Sequence, residues 1–336
     1  MMHKKLKIDL NQPYVQLFVL FGTLALALIT NTVFGDAHNA LNFLPTLFGI
    51  IIVIEIAFFV TLEIKEGAQE YGWTHEALDT VIALVVAAVI WYGASFLLNT
   101  NSPVSAVVSC SMLPNLQRGD FVIIQGSAPR AYEINMTQSE LDSLTSMDSS
   151  VSFNGRSVNI TGSLFTYCLG NSMSEVCRAL KETPASVAEH KGAFTYHYET
   201  CGVSFTSGSF VSMPCLKSVG FKGKDYLTNF SNDIVVYQPA RNDLYSQIGD
   251  IVHRTMFEIN VGNQSYYITR GDNNPILDMQ VFDAGSGLVN HPIPYKQLRG
   301  KVIGRIPLVG YFKLFLSGYF QEDSQCRTQL DFSHVN

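Results

Sequence analysis

The stretch TVIALVVAAVIWYGASFLL, Thr80–Leu98, carries no charged residue. A helix needs roughly 20 apolar residues to cross ~30 Å of hydrocarbon, and this stretch supplies nearly that many. From Ser102 onward the pattern changes to short runs rich in Val, Ile, Tyr and Phe, separated by turn residues. Leu98 therefore divides a membrane-embedded part from a β-rich part. Upstream, Tyr14–Phe34 and Phe43–Leu62 repeat the apolar signal, with Glu55 the lone charge in either. Three such stretches in succession argue against the buried helices of a soluble protein and predict three transmembrane helices over 14–98. The polar segments Gly35–Asn42 and Glu63–Asp79 read as the loops between them. Glu55 is costly in hydrocarbon and is expected near the end of its helix, where its side chain reaches polar surroundings.

The whole chain agrees with this reading. Of its 336 residues 47% are hydrophobic and 15% charged, which suits a protein partly in a membrane. A net charge of -6 leaves no basic footprint for nucleic acid. Lys4, Lys5 and Lys7 should hold residues 1–13 in the cytoplasm; the second loop, with Lys65 among several acids, adds little. Three crossings then place everything after Asn99 outside. Were the first stretch a cleaved signal peptide, the large C-terminal part would still lie outside.

That part reads as a mainly antiparallel β domain, part sandwich or barrel. Strands are expected at Phe121–Gln125, Ile234–Tyr237, Ile251–Ile259, Ser265–Thr269 and Lys301–Ile306, with Gly119-Asp120, Gly249-Asp250 and Gly271-Asp272 as turns at their ends. A helical period is visible near Glu175–Lys181. Cys168, Cys177, Cys201 and Cys215 cluster in one segment and favour two disulfides, with three pairings open. Their spacing holds no C-x-x-C pair, which argues against zinc; no metal and no cofactor is expected. Cys110 and Cys326 are left over and are expected to be unpaired. Asn135, Asn159, Asn229 and Asn263 head N-x-S/T sequons on the outer side.

Just beyond the third span comes Ser109-Cys110-Ser111-Met112-Leu113-Pro114, then Gly119-Asp120. A serine hydroxyl needs a base to become a nucleophile. His253, in Gly249-Asp250-Ile251-Val252-His253-Arg254, sits in a strand-like run that could hold an imidazole rigidly. A third group should orient that ring, and Asp272 and Asp278 follow in Arg270-Gly271-Asp272-Asn273-Asn274-Pro275-Ile276-Leu277-Asp278. Together these residue types make an acyl-transfer site plausible. Taken singly, each has a structural explanation as a turn serine, a strand histidine or a turn aspartate.

The order of the pieces resembles the type I signal peptidase family in its archaeal and endoplasmic-reticulum branch. The family's S-x-S-M-x-P, then G-D, is similar to Ser109–Pro114 with Gly119-Asp120; its D-I-V-V-Y/F-x-P to Asp233–Pro239; its I-V-H-R to Ile251–Arg254. Its G-D-N-N with a later Asp is similar to Gly271–Asn274 with Asp278, and its closing strand to Gly300–Pro307. The five blocks lie within residues 105–126 and 231–316.

The resemblance implies a membrane-bound serine endopeptidase that removes signal peptides. Ser111 would be nucleophile and His253 its base; the Ser111 N–H and the Ser109 hydroxyl would form the oxyanion hole. Either Asp272 or Asp278 would orient His253, the family favouring Asp278 with Asp272 in support. Implied partners are secretory preproteins cut after A-x-A-like sites, the lipid bilayer, and the translocation channel or accessory subunits. The implied location is a plasma or endoplasmic-reticulum membrane. The alternative is a catalytically idle binding or assembly module on the same scaffold. The resulting layout is a cytoplasmic 1–13, spans within 14–98, a catalytic β domain of 99–126 and 231–320, a cysteine-containing inserted lobe of 127–230, and a tail of 321–336. Members of this branch commonly have one span, and the insertion is longer than the family usually has. Leu308–Phe320 is too short to span easily; Phe312, Leu314, Phe315 and Leu316 are expected to rest the domain on the bilayer, with a core strand as the competing reading.

Overall fold

The computed structural model describes residues 13–34, 43–283, 285–317, 319 and 322–332. Lys4, Lys5 and Lys7, the loop 35–42, Phe320 and the end of the tail lie outside the described residues. Two units form, one of the N-terminal helices with Leu308–Glu322, the other of Leu98–Pro307 with Asp323–Asn336.

In the first unit the apolar stretches become α1 (Pro13–Phe34), α2 (Phe43–Tyr71) and α3 (Trp73–Leu97). Pro13 opens α1, where its missing N–H costs nothing. The expected second loop is mostly helical. Glu63–Gln69 is polar but rich in good helix formers, so α2 continues to Tyr71, and the break is Gly72 at φ +88°. Of the described helices, α3 is long and apolar enough to cross a membrane, and none of its residues is buried. Glu55 lies near the middle of α2, not near its end, and has a partner within the chain. The Thr23 hydroxyl of α1 lies 2.9 and 2.8 Å from the two Glu55 carboxylate oxygens and can donate to either. Among the described residues of 308–320 there is a short helix, Gly310–Leu316, and no strand. Phe312 is exposed there, but Leu314 is buried and so is not free to meet lipid; the side chains of Phe315 and Leu316 lie outside the described ones.

The second unit is mainly β. Its strands in chain order are β1 (Val104–Ala106), β2 (Phe121–Gln125), β3 (Tyr132–Asn135), β4 (Asp148–Phe153), β5 (Arg156–Thr161), β6 (Val187–Lys191), β7 (Phe194–Phe205), β8 (Phe210–Phe221) and β9 (Lys224–Leu227). They continue with β10 (Ile234–Tyr237), β11 (Ile251–Val261), β12 (Gln264–Arg270), β13 (Phe282–Asp283), β14 (Leu288–Val289), β15 (Ile293–Pro294), β16 (Leu298–Ile306) and β17 (Thr328–Asp331). The first sheet runs β1-β2-β16-β10-β11-β12-β15, with β3 added parallel to β11. The second runs β5-β4-β6-β7-β8-β9, with β17 added to β7. All five expected strands are present, and the helical period near residue 175 is a helix, Glu175–Glu182.

The second sheet is built from residues 127–230 plus β17, yet it shares its core with the first. Phe257 of β11 packs against Phe194 of β7 and Tyr226 of β9 at ring separations of 5.5 and 5.4 Å. Ile259, Ile268 and Leu277 lie in the same cluster as Leu164, Leu180 and Leu216. Each fully buried side chain of this size contributes roughly 1.5–3 kcal/mol, so the shared core ties the two sheets together.

The cysteines form Cys168–Cys177, Cys201–Cys215 and Cys110–Cys326. The first two are the disulfides expected within the cluster. The third corrects the expectation that Cys110 and Cys326 are unpaired. They stand 216 residues apart, and β17 pairing with β7 brings the C-terminal segment back to the loop that holds Cys110.

Candidate active site

Ser111 opens the turn that follows β1. That turn is closed by Gly119-Asp120: Val107 N donates to Asp120 O at 2.9 Å, and Gly119 N to Val107 O at 2.9 Å. Gly119 takes φ +87°, a conformation that favours glycine. The Asp120 carboxylate accepts from Gln117 N at 2.9 Å and from Arg305 at 3.2 Å. From the other side, Asn273 N donates to Ser111 O at 2.7 Å. A Cβ on Gly271 would lie 2.6 Å from Ser111 O, so glycine permits this close approach. Gly271 thus serves packing, and its φ is not positive as in the turns at Gly119 and Gly249.

His253 lies in β11 opposite Val235 of β10. Its Nε2 is 2.9 Å from Ser111 Oγ, and its Nδ1 is 2.6 Å from Asp278 Oδ2. All three residues are buried. Thr269 donates to the same Asp278 oxygen at 2.6 Å, and Tyr237 donates at 3.2 Å. Burial, then the nearby Asp278 charge, push the Tyr237 hydroxyl well above its ordinary pKa, so it stays a donor. Ser109 Oγ is 3.1 Å from Ser111 Oγ. The structure therefore gathers Ser109, Ser111, His253 and Asp278.

Asp272 takes a different place. It is buried, and its carboxylate accepts from Arg254 Nε and Nη2 at 2.7 Å each and from Asn115 at 2.7 Å. Its contact with the His253 neighbourhood runs through Arg254, the next residue along β11. Nearby Arg270 is buried against Phe332 and Phe230, its charge 4.4 and 5.2 Å from the two rings. Burial lowers its pKa to about 10.

The sequence did not single out Thr269, Tyr237 or Asn273. Tyr237 stood inside a quoted strand block and Thr269 in an expected strand; a β-strand alternates its faces, but which face meets Asp278 depends on the sheet order. Asn273 also donates to Cys110 O at 3.2 Å and to Thr328 O at 2.8 Å, and accepts from Leu330 N at 2.8 Å. It clamps the turn that holds Ser111 to the C-terminal strand.

A cleft of about 250 Å³ opens beside Ser111 and His253, lined also by Ala106–Val108, Ile251, Val252 and Gln325. β1 is the edge strand of its sheet, so it offers unpaired backbone groups to an added strand. A hydroxyl aligned on an imidazole braced by a carboxylate is equipped for acyl transfer.

No family model matches the chain. A signal peptidase complex catalytic subunit of Chaetomium globosum is 34% identical over 85 residues, covering 25% of this chain and 44% of the relative. One from Coccidioides posadasii is 24% identical over 242 residues, covering 72% of this chain and 81% of the relative. An uncharacterized protein of Methanocaldococcus jannaschii is 25% identical over 244 residues, covering 70% of this chain and 90% of that protein. The chain thus aligns with less than half the length of the first of these and with most of the other two. The resemblance drawn from the five motif blocks is borne out by these relatives: the chain is similar to signal peptidase catalytic subunits.

Proposed function

We propose that this chain is a membrane-bound serine endopeptidase that removes signal peptides from secreted preproteins. The observation that carries the reading is the hydrogen-bonded series Ser111–His253–Asp278, whose Ser111 and His253 line a cleft that Ala106 of the edge strand β1 also lines. The similarity to signal peptidase catalytic subunits supports the substrate class.

An extended preprotein adds to the free edge of β1, the β-augmentation mode, with its small side chains before the cut directed into the cleft. Ser111 Oγ attacks the scissile carbonyl as His253 Nε2 takes the proton. Asp278, already within hydrogen-bond distance of Nδ1, holds the ring and stabilises the imidazolium. Ser109 and the Ser111 N–H receive the oxyanion that develops in the transition state, where such donors are worth most. His253 returns the proton to the leaving amine, and water, activated by the same imidazole, hydrolyses the acyl-enzyme.

Asp272 supports the site at one remove, by fixing Arg254 beside His253. α1, α2 and α3 cross the membrane in turn, leaving the β unit on the outer face of a plasma or endoplasmic-reticulum membrane. Residues 99–126 and 231–320 supply the catalytic domain and 127–230 an insertion in it. Accessory subunits or the translocation channel are the proposed protein partners, and the bilayer is the medium.

The test is cleavage of a secretory preprotein carrying an A-x-A site by the full-length protein in lipid, with products identified by mass. Cutting after that site, abolished in Ser111→Ala, is expected. Cutting that persists in Ser111→Ala would overturn the assignment of the nucleophile.

A further inference from the structure

Asp278 is the first residue of a single helical turn, Asp278–Gln280. Gln280 is fully buried, so each polar atom of its side chain needs a partner inside the protein. Its Oε1 accepts from Leu277 N at 3.0 Å, within the turn. Its Nε2 donates at 3.1 Å to the hydroxyl of Tyr198, which belongs to β7 of the 127–230 segment. That hydroxyl in turn donates to Glu189 of β6. The other Glu189 oxygen accepts from Leu164 N at 3.1 Å. The Gln280 carbonyl accepts from Ser163, also in the segment. Leu216 N of β8 donates to Pro275 O at 2.7 Å. The apolar residues around Asp278, namely Ile276, Leu277 and Met279, are buried in the core that Leu164, Leu180 and Leu216 supply.

Residues 275–280 are thus gripped through Ser163, Tyr198 and Leu216 and by a common core, all from a segment far away in sequence. On the opposite side, Asn290 donates to Asp278 O at 2.9 Å. The polar series is shielded from water, where hydrogen bonds are electrostatically stronger and an unmet partner is costly. Burial raises the pKa values of Glu189 and of Tyr198; the tyrosine accordingly keeps its proton and remains a donor.

We infer that the inserted segment 127–230 sets the position of the carboxylate that orients His253, with Tyr198 and Gln280 as positioning residues. The inference rests on the peptidase reading above. The segment is then a working part of the site, without which the turn carrying Asp278 lacks its outer wall.

The experiment compares full-length parent, Tyr198→Phe and Gln280→Met in lipid, using cleavage of the same preprotein and rates scaled to folded protein. The exposed hairpin variant Phe210→Ser is the control for changes elsewhere in the segment. A small displacement of a catalytic group costs up to ~100-fold, and loss of one tie among several should cost about tenfold in kcat with KM held. A loosened Asp278 stabilises the imidazolium less, so the acid limb of kcat/KM against pH should move to lower pH. Phe210→Ser should match the parent. If Tyr198→Phe does not fold, Ser163→Ala cuts a separate tie to the same turn and should give the same shift. A lowered rate with the parent's pH profile, or no change in kcat, would overturn the inference, because a merely structural brace does not move the profile. Failure of the underlying peptidase reading shows separately, as cleavage that survives Ser111→Ala.

Discussion

Replacing Asp272 with asparagine should unfold the β unit more easily while leaving its chemistry largely intact. The Asp272 side chain is 1% exposed and that of Arg254 11%. Three donors converge on the one carboxylate, two from Arg254 and one from Asn115, all at 2.7 Å. Asparagine keeps one acceptor and turns an NH₂ toward donors, so at least one contact becomes donor against donor. The guanidinium also loses its counter-charge, beside the second buried cation Arg270. Removing one partner of a buried pair costs about 3–5 kcal/mol. The slight solvent access of Arg254 places this case near the lower end, about 3 kcal/mol. For a unit of this size, each kcal/mol lowers Tm by about 2–4 °C, giving a fall of roughly 6–12 °C. Both tryptophans, Trp73 and Trp91, lie in α3, so tryptophan fluorescence would follow the wrong unit. Near-ultraviolet circular dichroism of the tyrosines reads mainly the β unit, which holds ten of the fifteen. The folded variant should keep kcat within about tenfold of the parent, since Asp272 lies outside hydrogen-bonding contact with His253. An unchanged Tm together with a kcat loss of about 10⁴, the size expected for loss of the orienting carboxylate, would refute this assignment of Asp272.

Asp278→Asn should lower kcat by about 10⁴ because the amide favours the wrong imidazole tautomer; loss of preprotein cleavage by the folded variant measures it. Cys110→Ser with Cys326→Ser opens a loop of 216 residues and should lower stability by about 5 kcal/mol on the chain-entropy model, read as the denaturation midpoint of the β unit. Burial tends to raise the Asp233 carboxyl, but hydrogen bonds from Arg130 and Lys301 hold it below its ordinary range. A depressed folded pKa gives stability that is present above the unfolded value, about 3.9, and lost as pH falls through the folded one. Asp233→Asn should therefore flatten the acid limb of stability against pH below about 5, measured by denaturation at several pH values, and leave the slope above it unchanged.

Much of the site was legible because its parts are local patterns. β2 and β10 begin and end where the apolar runs do, and the turn that holds Ser111 is closed by a Gly-Asp pair whose glycine takes a positive φ. What distinguished Asp278 from Asp272 was not local. Both follow β12, and the path of the segment between Arg270 and the turn Asp278–Gln280 decides which carboxylate faces His253. Cys110 finding Cys326, and Tyr198 finding Gln280, are pairings across 216 and 82 residues, beyond the reach of spacing arguments. Glu63–Gln69 misled for another reason. Polarity marks the limit of an apolar stretch, whereas helix formation follows backbone propensity, and the two ended at different residues. Glu55 likewise found its partner on α1, a contact set by helix packing.

The central claim is that Ser111 forms an acyl-enzyme, and the most direct measurement is the intact mass of the full-length protein, acid-quenched during turnover of an activated ester of an Ala-x-Ala peptide. With an activated leaving group acylation outruns hydrolysis, so the intermediate accumulates. A mass increase of one peptidyl group is expected, mapped to the fragment containing Ser111 and missing in both Ser111→Ala and His253→Ala. Turnover by the parent with the peptidyl group on another residue, or an adduct that persists in Ser111→Ala, would contradict it.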